Sequence, residues 1–368
     1  MTSFRPTVAE IDLDAIRHNV RTLTPEGVEL MAVVKADGYG HGAVEVARAA
    51  LDAGAAWLGV ALVEEGTALR EAGVRAPVLL LSEPPLGSEK DALGADLTPT
   101  IYSERGLAAV AEAGEALGRT PSVHLKVDTG MHRVGLHPPG DAPDFARRVA
   151  EAGCELQGLW THLARAEEDE ETTRRQLAAF EEVLAGVSAV AGRPRLVHAA
   201  NSAGAILYPE AHFDLVRVGI AMYGLDPGGG LAARAGVRPA LAWRSAVSSV
   251  RRLDAGEGVS YGHRYRLEAA RTVATVPVGY ADGYRRALSS RGDVLIGGRR
   301  RRVAGTVTMD QILVDCGDDD VAVGDEVALI GRQGDEEVRA DELAALCDTI
   351  GYEIVCGIGP RVPRRYAP

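Results

Sequence analysis

A chain of 368 residues is long enough for a barrel-sized domain and a smaller companion. With 46% hydrophobic and 25% charged residues it has a globular composition, and its formal charge of −12 excludes the basic footprint of non-specific nucleic-acid binding. No run of about 18 apolar residues offers a membrane span, and the first residues lead into a strand-like segment without an apolar leader, so a cytoplasmic protein is expected.

Residues 7–13 alternate as a strand does, and Asp14 is placed to cap a helix over 15–23 with Ile16, Val20 and Leu23 on one face. Continuous apolar runs then alternate with Ala/Glu/Arg-rich helical stretches. The runs lie at 30–34, 57–62, 77–81, 97–102, 123–127, 156–161, 196–200 and 214–218. The helical stretches include 43–53, 63–72, 104–117, 142–152 and 172–190. The acidic run at 167–171 leads into the last of these, where negative charge suits a helix N-terminus. Runs that are apolar on both faces, each followed by a helix, predict an α/β fold: a (β/α)8 TIM-like barrel over residues 10–232. An open doubly wound sheet is the structural rival.

A Gly/Pro stretch at 224–230 reads as a linker. Beyond it short β-branched runs dominate, at 240–253, 271–278, 294–296, 302–308, 311–315 and 326–330, with one helix at 340–349. They predict a mainly β C-terminal domain over 233–368, which the N-terminal strand within residues 1–9 could join. The four cysteines, Cys154, Cys316, Cys347 and Cys356, lack metal-like spacing. Reduced thiols and no metal site are therefore expected.

Chemistry is expected where the barrel strands end, because such barrels keep their active sites at that edge. The first run delivers Lys35 into Ala-Asp-Gly-Tyr-Gly-His-Gly. Only three lysines, Lys35, Lys90 and Lys126, stand among the 40 Lys and Arg residues. Arginine serves nearly wherever a cation is wanted, yet it cannot deprotonate or condense with a carbonyl, and lysine can do both. Lys35 therefore points to amine chemistry, whereas Lys90, in Gly-Ser-Glu-Lys-Asp, reads as a solvated charge. Lys126 and the segment 128–133 close the fifth run, Thr161 and His162 the sixth, Asn201 and Ser202 the seventh, and Arg217 the eighth. Singly, His162 reads as a rim histidine, Asn201 and Ser202 as a helix cap, and Arg217 as an ion-pair partner. At one barrel mouth they read as a site.

Val-Val-Lys-Ala-Asp-Gly-Tyr-Gly-His-Gly at 33–42 resembles the cofactor-attachment motif of alanine racemases, pyridoxal 5'-phosphate enzymes of fold type III. The resemblance runs from the first strand to the last dozen residues. It implies that Lys35 carries the cofactor and that Tyr39 touches its phosphate. His-Leu-Lys-Val-Asp-Thr-Gly-Met-His-Arg at 124–133 resembles a segment whose lysine is often carbamylated by CO2. Lys126 would be that lysine. Arg133 would hold the cofactor's phenolic oxygen and the substrate carboxylate, a task suited to a bidentate guanidinium. Trp-Thr-His-Leu-Ala at 160–164 resembles the segment that places a histidine, here His162, beside the catalytic tyrosine. Asn201, Ser202 and the backbone of Gly219 and Ile220 resemble the phosphate-binding set. Arg217 resembles the arginine that faces the pyridine nitrogen, where many pyridoxal enzymes use a carboxylate.

Gly-Val-Ser-Tyr-Gly at 258–262 resembles the family's catalytic tyrosine motif. Racemisation needs a proton carrier on each face of the α-carbon. The resemblance assigns Lys35 to one face and Tyr261, from a partner subunit, to the other. Tyr284, in Val-Gly-Tyr-Ala-Asp-Gly-Tyr, and Met309 with Asp310, in Val-Thr-Met-Asp-Gln, resemble substrate-binding companions at the pocket and its entrance. Tyr352, in the C-terminal signature, would lie near the phosphate. One departure is visible: Thr306 and Thr308 stand where arginine and cysteine are more usual. The implied activity is a homodimeric, two-base interconversion of L- and D-alanine, supplying D-alanine for bacterial peptidoglycan. A racemase of broader specificity, for serine or basic amino acids, is the alternative. A decarboxylase of the same architecture and a non-catalytic pyridoxal-phosphate carrier are remoter ones.

Overall fold

The computed structural model describes residues 4–367. Residues 1–3 of the expected N-terminal strand, and residue 368 of the expected C-terminal domain, lie outside the described residues. The chain divides into two units. One comprises residues 15–38 and 43–238; the other comprises the segment ending at Asp14, residues 39–42, and residues from 239 onward.

Strand β1 (Val8–Asp12) belongs to the second unit. The first unit holds β2 (Glu29–Val33), β3 (Trp57–Val60), β4 (Val78–Leu80), β5 (Thr100–Ile101), β6 (Ser122–Lys126), β7 (Glu155–Trp160), β8 (Leu196–His198) and β9 (Leu215–Val218). Parallel pairing runs from β9 through β2 and β3 to β4, and from β5 through β6 and β7 to β8. A bridge between Leu79 and Thr98 joins the two runs on one side. On the other, Asp214 N–H donates to Val197 O at 3.0 Å and Arg217 N–H to Ala200 O at 3.1 Å. The ring is closed, which excludes the open sheet. Met31, Trp57, Leu79, Leu196 and Leu215 pack as one buried cluster within it.

The fifth strand is shorter than its apolar run because Pro99 has no N–H to give the ladder. The first helix begins at Leu13, so Asp14 lies inside its first turn and is not its cap. Two short helices escaped the sequence pattern, Glu89–Gly94 and Leu231–Ala235, whereas Ser202–Leu207 follows the cap read at Asn201 and Ser202. The Gly/Pro stretch at 224–230 is no open linker, because the Asp226 carboxylate accepts from Gly230 N–H at 2.8 Å and Ala232 N–H at 3.0 Å. The division between the units falls after Arg238.

The second unit is mainly β. Its strands are β10 (Leu241–Ala246), β11 (Ser249–Leu253), β12 (Gly258–Val259), β13 (Tyr265–Arg266), β14 (Arg271–Val276), β15 (Asp293–Ile296), β16 (Arg299–Val303), β17 (Ile312–Asp315), β18 (Glu326–Gln333), β19 (Glu336–Val338) and β20 (Arg364–Ala367). One sheet runs β11-β14-β17-β16-β15-β18-β10-β1-β20, with β1 antiparallel to β10 and parallel to β20. The expected strand at 240–253 is two strands, because the chain changes partner between them: Val247 N–H donates to Asp325 O and Ser248 N–H to Thr275 O. The run expected at 302–308 instead forms β16 and stops at Val303, since Gly305 turns the backbone with φ +83. The expected helix at 340–349 ends at Leu346, and a second, Gly351–Cys356, follows. Among the described residues no disulfide joins Cys154, Cys316, Cys347 or Cys356.

Candidate active site

Lys35 follows β2 at the C-terminal edge of the barrel and is half-buried. The loop it opens is left-handed at Ala36, Asp37 and Gly38, with φ of 52, 51 and 60. Such backbone needs external support in a non-glycine residue. Glu65 supplies it. One carboxylate oxygen accepts from Ala36 N–H at 2.7 Å, and the other caps its own helix by accepting from Ala61 N–H at 2.8 Å and Leu62 N–H at 3.2 Å. Asp37 in turn accepts from Ala43 N–H at 2.9 Å. Lys90 is far simpler: it is exposed on the short helix Glu89–Gly94.

Lys126, the last residue of β6, is buried, with its amine 4.4 Å from the centroid of the Trp160 ring. Burial above all, and then the charges of Arg217, Arg133 and Lys35, bring its pKa down to about 7; of the charges acting on it most, only Asp128 is negative. Arg217 points inward from β9 and is 3% exposed. Its guanidinium donates to His198 Nδ1 and His162 Nδ1, each at 3.0 Å, and to the carbonyls of Thr161 and Ala199, each at 2.9 Å. No carboxylate is among those acceptors. Burial draws its pKa down to about 9, so it stays charged at neutral pH.

Guanidinium nitrogens only donate. His162 therefore accepts at Nδ1 and carries its proton at Nε2. Burial and the surrounding cations hold it well below the usual histidine pKa, so it is neutral. Arg133 is exposed and forms no ion pair among the described residues. The loop before it is fixed by Asp128, whose carboxylate accepts from the N–H groups of Gly130, Met131 and His132 at 2.9–3.0 Å.

Asn201 caps the helix Ser202–Leu207, accepting from Gly204 N–H at 2.9 Å. The Ser202 hydroxyl accepts from the N–H of Gly219 at 3.1 Å and of Ala221 at 3.4 Å, which ties the end of β8 to the turn after β9. The barrel thus gathers Lys35, Lys126, Arg133, His162, Asn201, Ser202, Arg217, Gly219 and Ile220 at the ends of its strands.

The second unit holds the remaining residues. The rings of Tyr39 and Tyr352 lie 6.1 Å apart. Arg364 holds this segment by donating to Gly40 O at 2.9 Å, and a Cβ on Gly40 would strike the Val355 carbonyl. Tyr261 is 75% exposed on the turn that joins β12 to β13, beside an open depression of about 410 Å³ that it lines with His263 and Thr308. The turn is pinned by two bonds. Ser260 Oγ donates to Thr306 O at 2.7 Å, and Thr306 Oγ1 donates to Tyr261 O at 3.1 Å. Thr308 is likewise occupied, closing a turn with Gln311. The two departing threonines thus serve the backbone of the wall.

Tyr284 is corrected by the structure. It is fully buried, 6.0 Å from the Trp243 ring, and offers no surface to a substrate. Tyr280, four residues earlier, is 43% exposed. Backbone bonds from Tyr280 N–H to Thr308 O at 3.0 Å and from Ala281 N–H to Met309 O at 3.1 Å set it beside the exposed Met309. Asp310 pairs with Arg361 at 2.8 Å. The motif contains two tyrosines, and only burial tells them apart.

The donor set suits a pyridoxal phosphate. It includes a lysine amine of the kind that attaches the cofactor, hydroxyls and N–H groups of the kind that hold a phosphate, and four basic side chains that face a shortage of anions in a chain of net charge −12. A model of the alanine racemase N-terminal domain family matches residues 11–227, and one of the alanine racemase C-terminal domain family matches 240–366. The alanine racemase of Symbiobacterium thermophilum is 51% identical over 371 residues, covering 100% of this chain and 98% of that protein. That of Frankia casuarinae is 46% identical over 366 residues, covering 97% and 95%. Among solved structures, the alanine racemase of Streptomyces lavendulae superposes with a TM-score of 0.95 at 43% identity, covering 100% of this chain and 98% of that one. The Bartonella henselae alanine racemase with covalently bound pyridoxal phosphate gives 0.88 at 31% identity, covering 98% and 99%.

Proposed function

This chain belongs to the alanine racemase family, and from that premise we propose that it interconverts L- and D-alanine through two proton carriers, the Lys35 amine and the Tyr261 phenol. The supporting observation is the cation cluster at the barrel mouth, with one amine on a clamped loop beside it. Pyridoxal 5'-phosphate, when bound, supplies the electron sink that lets the α-proton leave.

Lys35 attaches the cofactor. Ser202, Asn201, Tyr39 and Tyr352 would hold its phosphate together with the backbone N–H groups of Gly219 and Ile220; a serine hydroxyl that accepts can rotate to donate. Arg217, charged and without a carboxylate partner, would face the ring nitrogen, and a guanidinium that keeps its proton would leave that nitrogen neutral, which would favour simple proton exchange. Arg133, without an ion pair of its own, takes the substrate carboxylate as a bidentate fork. The Lys126 amine adds CO2 and releases a proton, becoming a carbamate that turns a buried cation into an anion and orients Arg133. His162, committed to Arg217 at Nδ1, offers its Nε2–H to the Tyr261 oxygen and stabilises the phenolate.

Tyr261 removes the α-proton of L-alanine and Lys35 returns one on the opposite face; the reverse reaction exchanges these roles. Met309, Asp310 and, in place of Tyr284, Tyr280 line the way in. The working form is a cytoplasmic homodimer in which the partner supplies Tyr261, and the product D-alanine serves bacterial peptidoglycan. Tyr261→Phe tests the assignment of faces. Exchange of the α-hydrogen with solvent deuterium is expected to fall far more for L-alanine than for D-alanine; equal losses would refute the assignment.

A further inference from the structure

At the other edge of the barrel, between the N-terminal ends of the strands, lies a polar cavity of about 260 Å³. Arg75, Arg119 and Arg195 line it, with Gln157 and Ser122. The one carboxylate in its wall, Asp96, is engaged by Arg119 at 2.8 Å. Among the described residues Arg75 and Arg195 form no ion pair. Two guanidinium groups without an ion pair, lining one cavity of a strongly acidic protein, are a site short of an anion.

Gln157 connects this cavity to the barrel axis. Arg217 donates to His198 Nδ1 at 3.0 Å, His198 Nε2 meets His124 Nδ1 at 3.0 Å, and His124 Nε2 meets Gln157 Oε1 at 3.2 Å. The direction of the string is fixed by its first member. Because Arg217 can only donate, His198 accepts at Nδ1, donates from Nε2 to His124, and His124 donates to the Gln157 oxygen. Each imidazole needs one proton for this, and both are neutral. Burial lowers the His124 pKa to about 4 and that of His198 well below its usual value. The Gln157 amide nitrogen has no partner among the described residues.

We propose that this cavity binds a small oxyanion of phosphate size through Arg75, Arg195 and the Gln157 amide, and that the two imidazoles transmit its charge to Arg217. An anion there orients the Gln157 amide, N–H toward itself and oxygen toward His124, and so polarises every bond of the string in one direction. It also offsets the field of Arg195, one of the charges that opposes protonation of His124.

The test uses the holoenzyme, labelled with 15N-histidine and titrated with inorganic phosphate against chloride at matched ionic strength. Calorimetry should show saturable binding, weakened roughly tenfold for each of Arg75→Gln and Arg195→Gln. At saturation the nitrogen resonances of His124 and His198 should move, and they should stay still in the double variant. Both arginines are exposed, so their loss leaves the fold intact. Absence of saturable binding, or binding that survives the double variant, overturns the site. Binding that leaves both imidazoles unmoved overturns the link to Arg217.

Discussion

Lys126 shows how one buried amine takes its chemistry from its neighbours. A lysine at its ordinary pKa is protonated at neutral pH and inert toward CO2, whereas this one reaches about 7 through burial and three nearby cations. Below that pH the amine holds its proton; above it the lone pair is free. With dissolved 13CO2 held constant, a carbamate 13C signal should therefore grow as pH rises through about 7 and be absent in Lys126→Arg. The two tyrosines of the Val-Gly-Tyr-Ala-Asp-Gly-Tyr motif should also separate by experiment. The Tyr284 hydroxyl is buried without a partner and its pKa is raised far above the usual range by burial. Tyr284→Phe should leave Tm and KM unchanged or raise Tm, because no hydrogen bond is lost. Tyr284→Ala should cost about 3–5 kcal/mol in denaturant titration. Tyr280→Ala should spare Tm and raise KM for alanine. Nothing in the spelling of that motif says which ring faces solvent, so the sequence led to the wrong one.

Among the elements, the loop after β2 depends on Glu65. The carboxylate caps its own helix with one oxygen and holds the Ala36 N–H with the other. Glu65→Gln puts a donor where an acceptor is needed. It should lower stability by about 1 kcal/mol in denaturant titration and weaken retention of the cofactor on dialysis more than Tm alone explains. The strands of the barrel were readable because each is an apolar run ending in a polar residue, and Lys35, Lys126 and Arg217 all came from that reading. The string of His124 and His198 was not read. A histidine inside an apolar run looks like an ordinary core residue, although His124 stands two before Lys126 on the same face of β6, and that spacing was the available signal. Short pieces such as β12, β13 and β19 carry too few residues for any period to show.

On the scale of the whole molecule, the expectation of a closed barrel followed by a mainly β domain is met by the closed ring of β2 to β9 and by the sheet of the second unit. Pairing of β1 with β10 and β20 joins residues far apart in the chain, which no local pattern encodes. Tyr261 and Met309 are exposed at 75% and 52%, as a residue serving a partner copy would be before assembly. If each site draws Lys35 from one chain and Tyr261 from the other, Lys35→Ala and Tyr261→Phe are each inactive alone. Unfolded together and reassembled, they should regain activity, because every hybrid dimer contains one intact site. Failure of the mixture to recover, with hybrids demonstrated by mass spectrometry, would place both residues on one chain.

The scarcity of lysine has a practical side. Of the three ε-amines, one is buried beside Trp160, one is half-buried at the barrel mouth, and only Lys90 stands in the open on its short helix. A mild acylating dye or a resin ester therefore meets one fully exposed side-chain amine per chain, that of Lys90. The protein can be tethered or tagged there in a defined orientation through a position remote in sequence from Lys35 and Lys126.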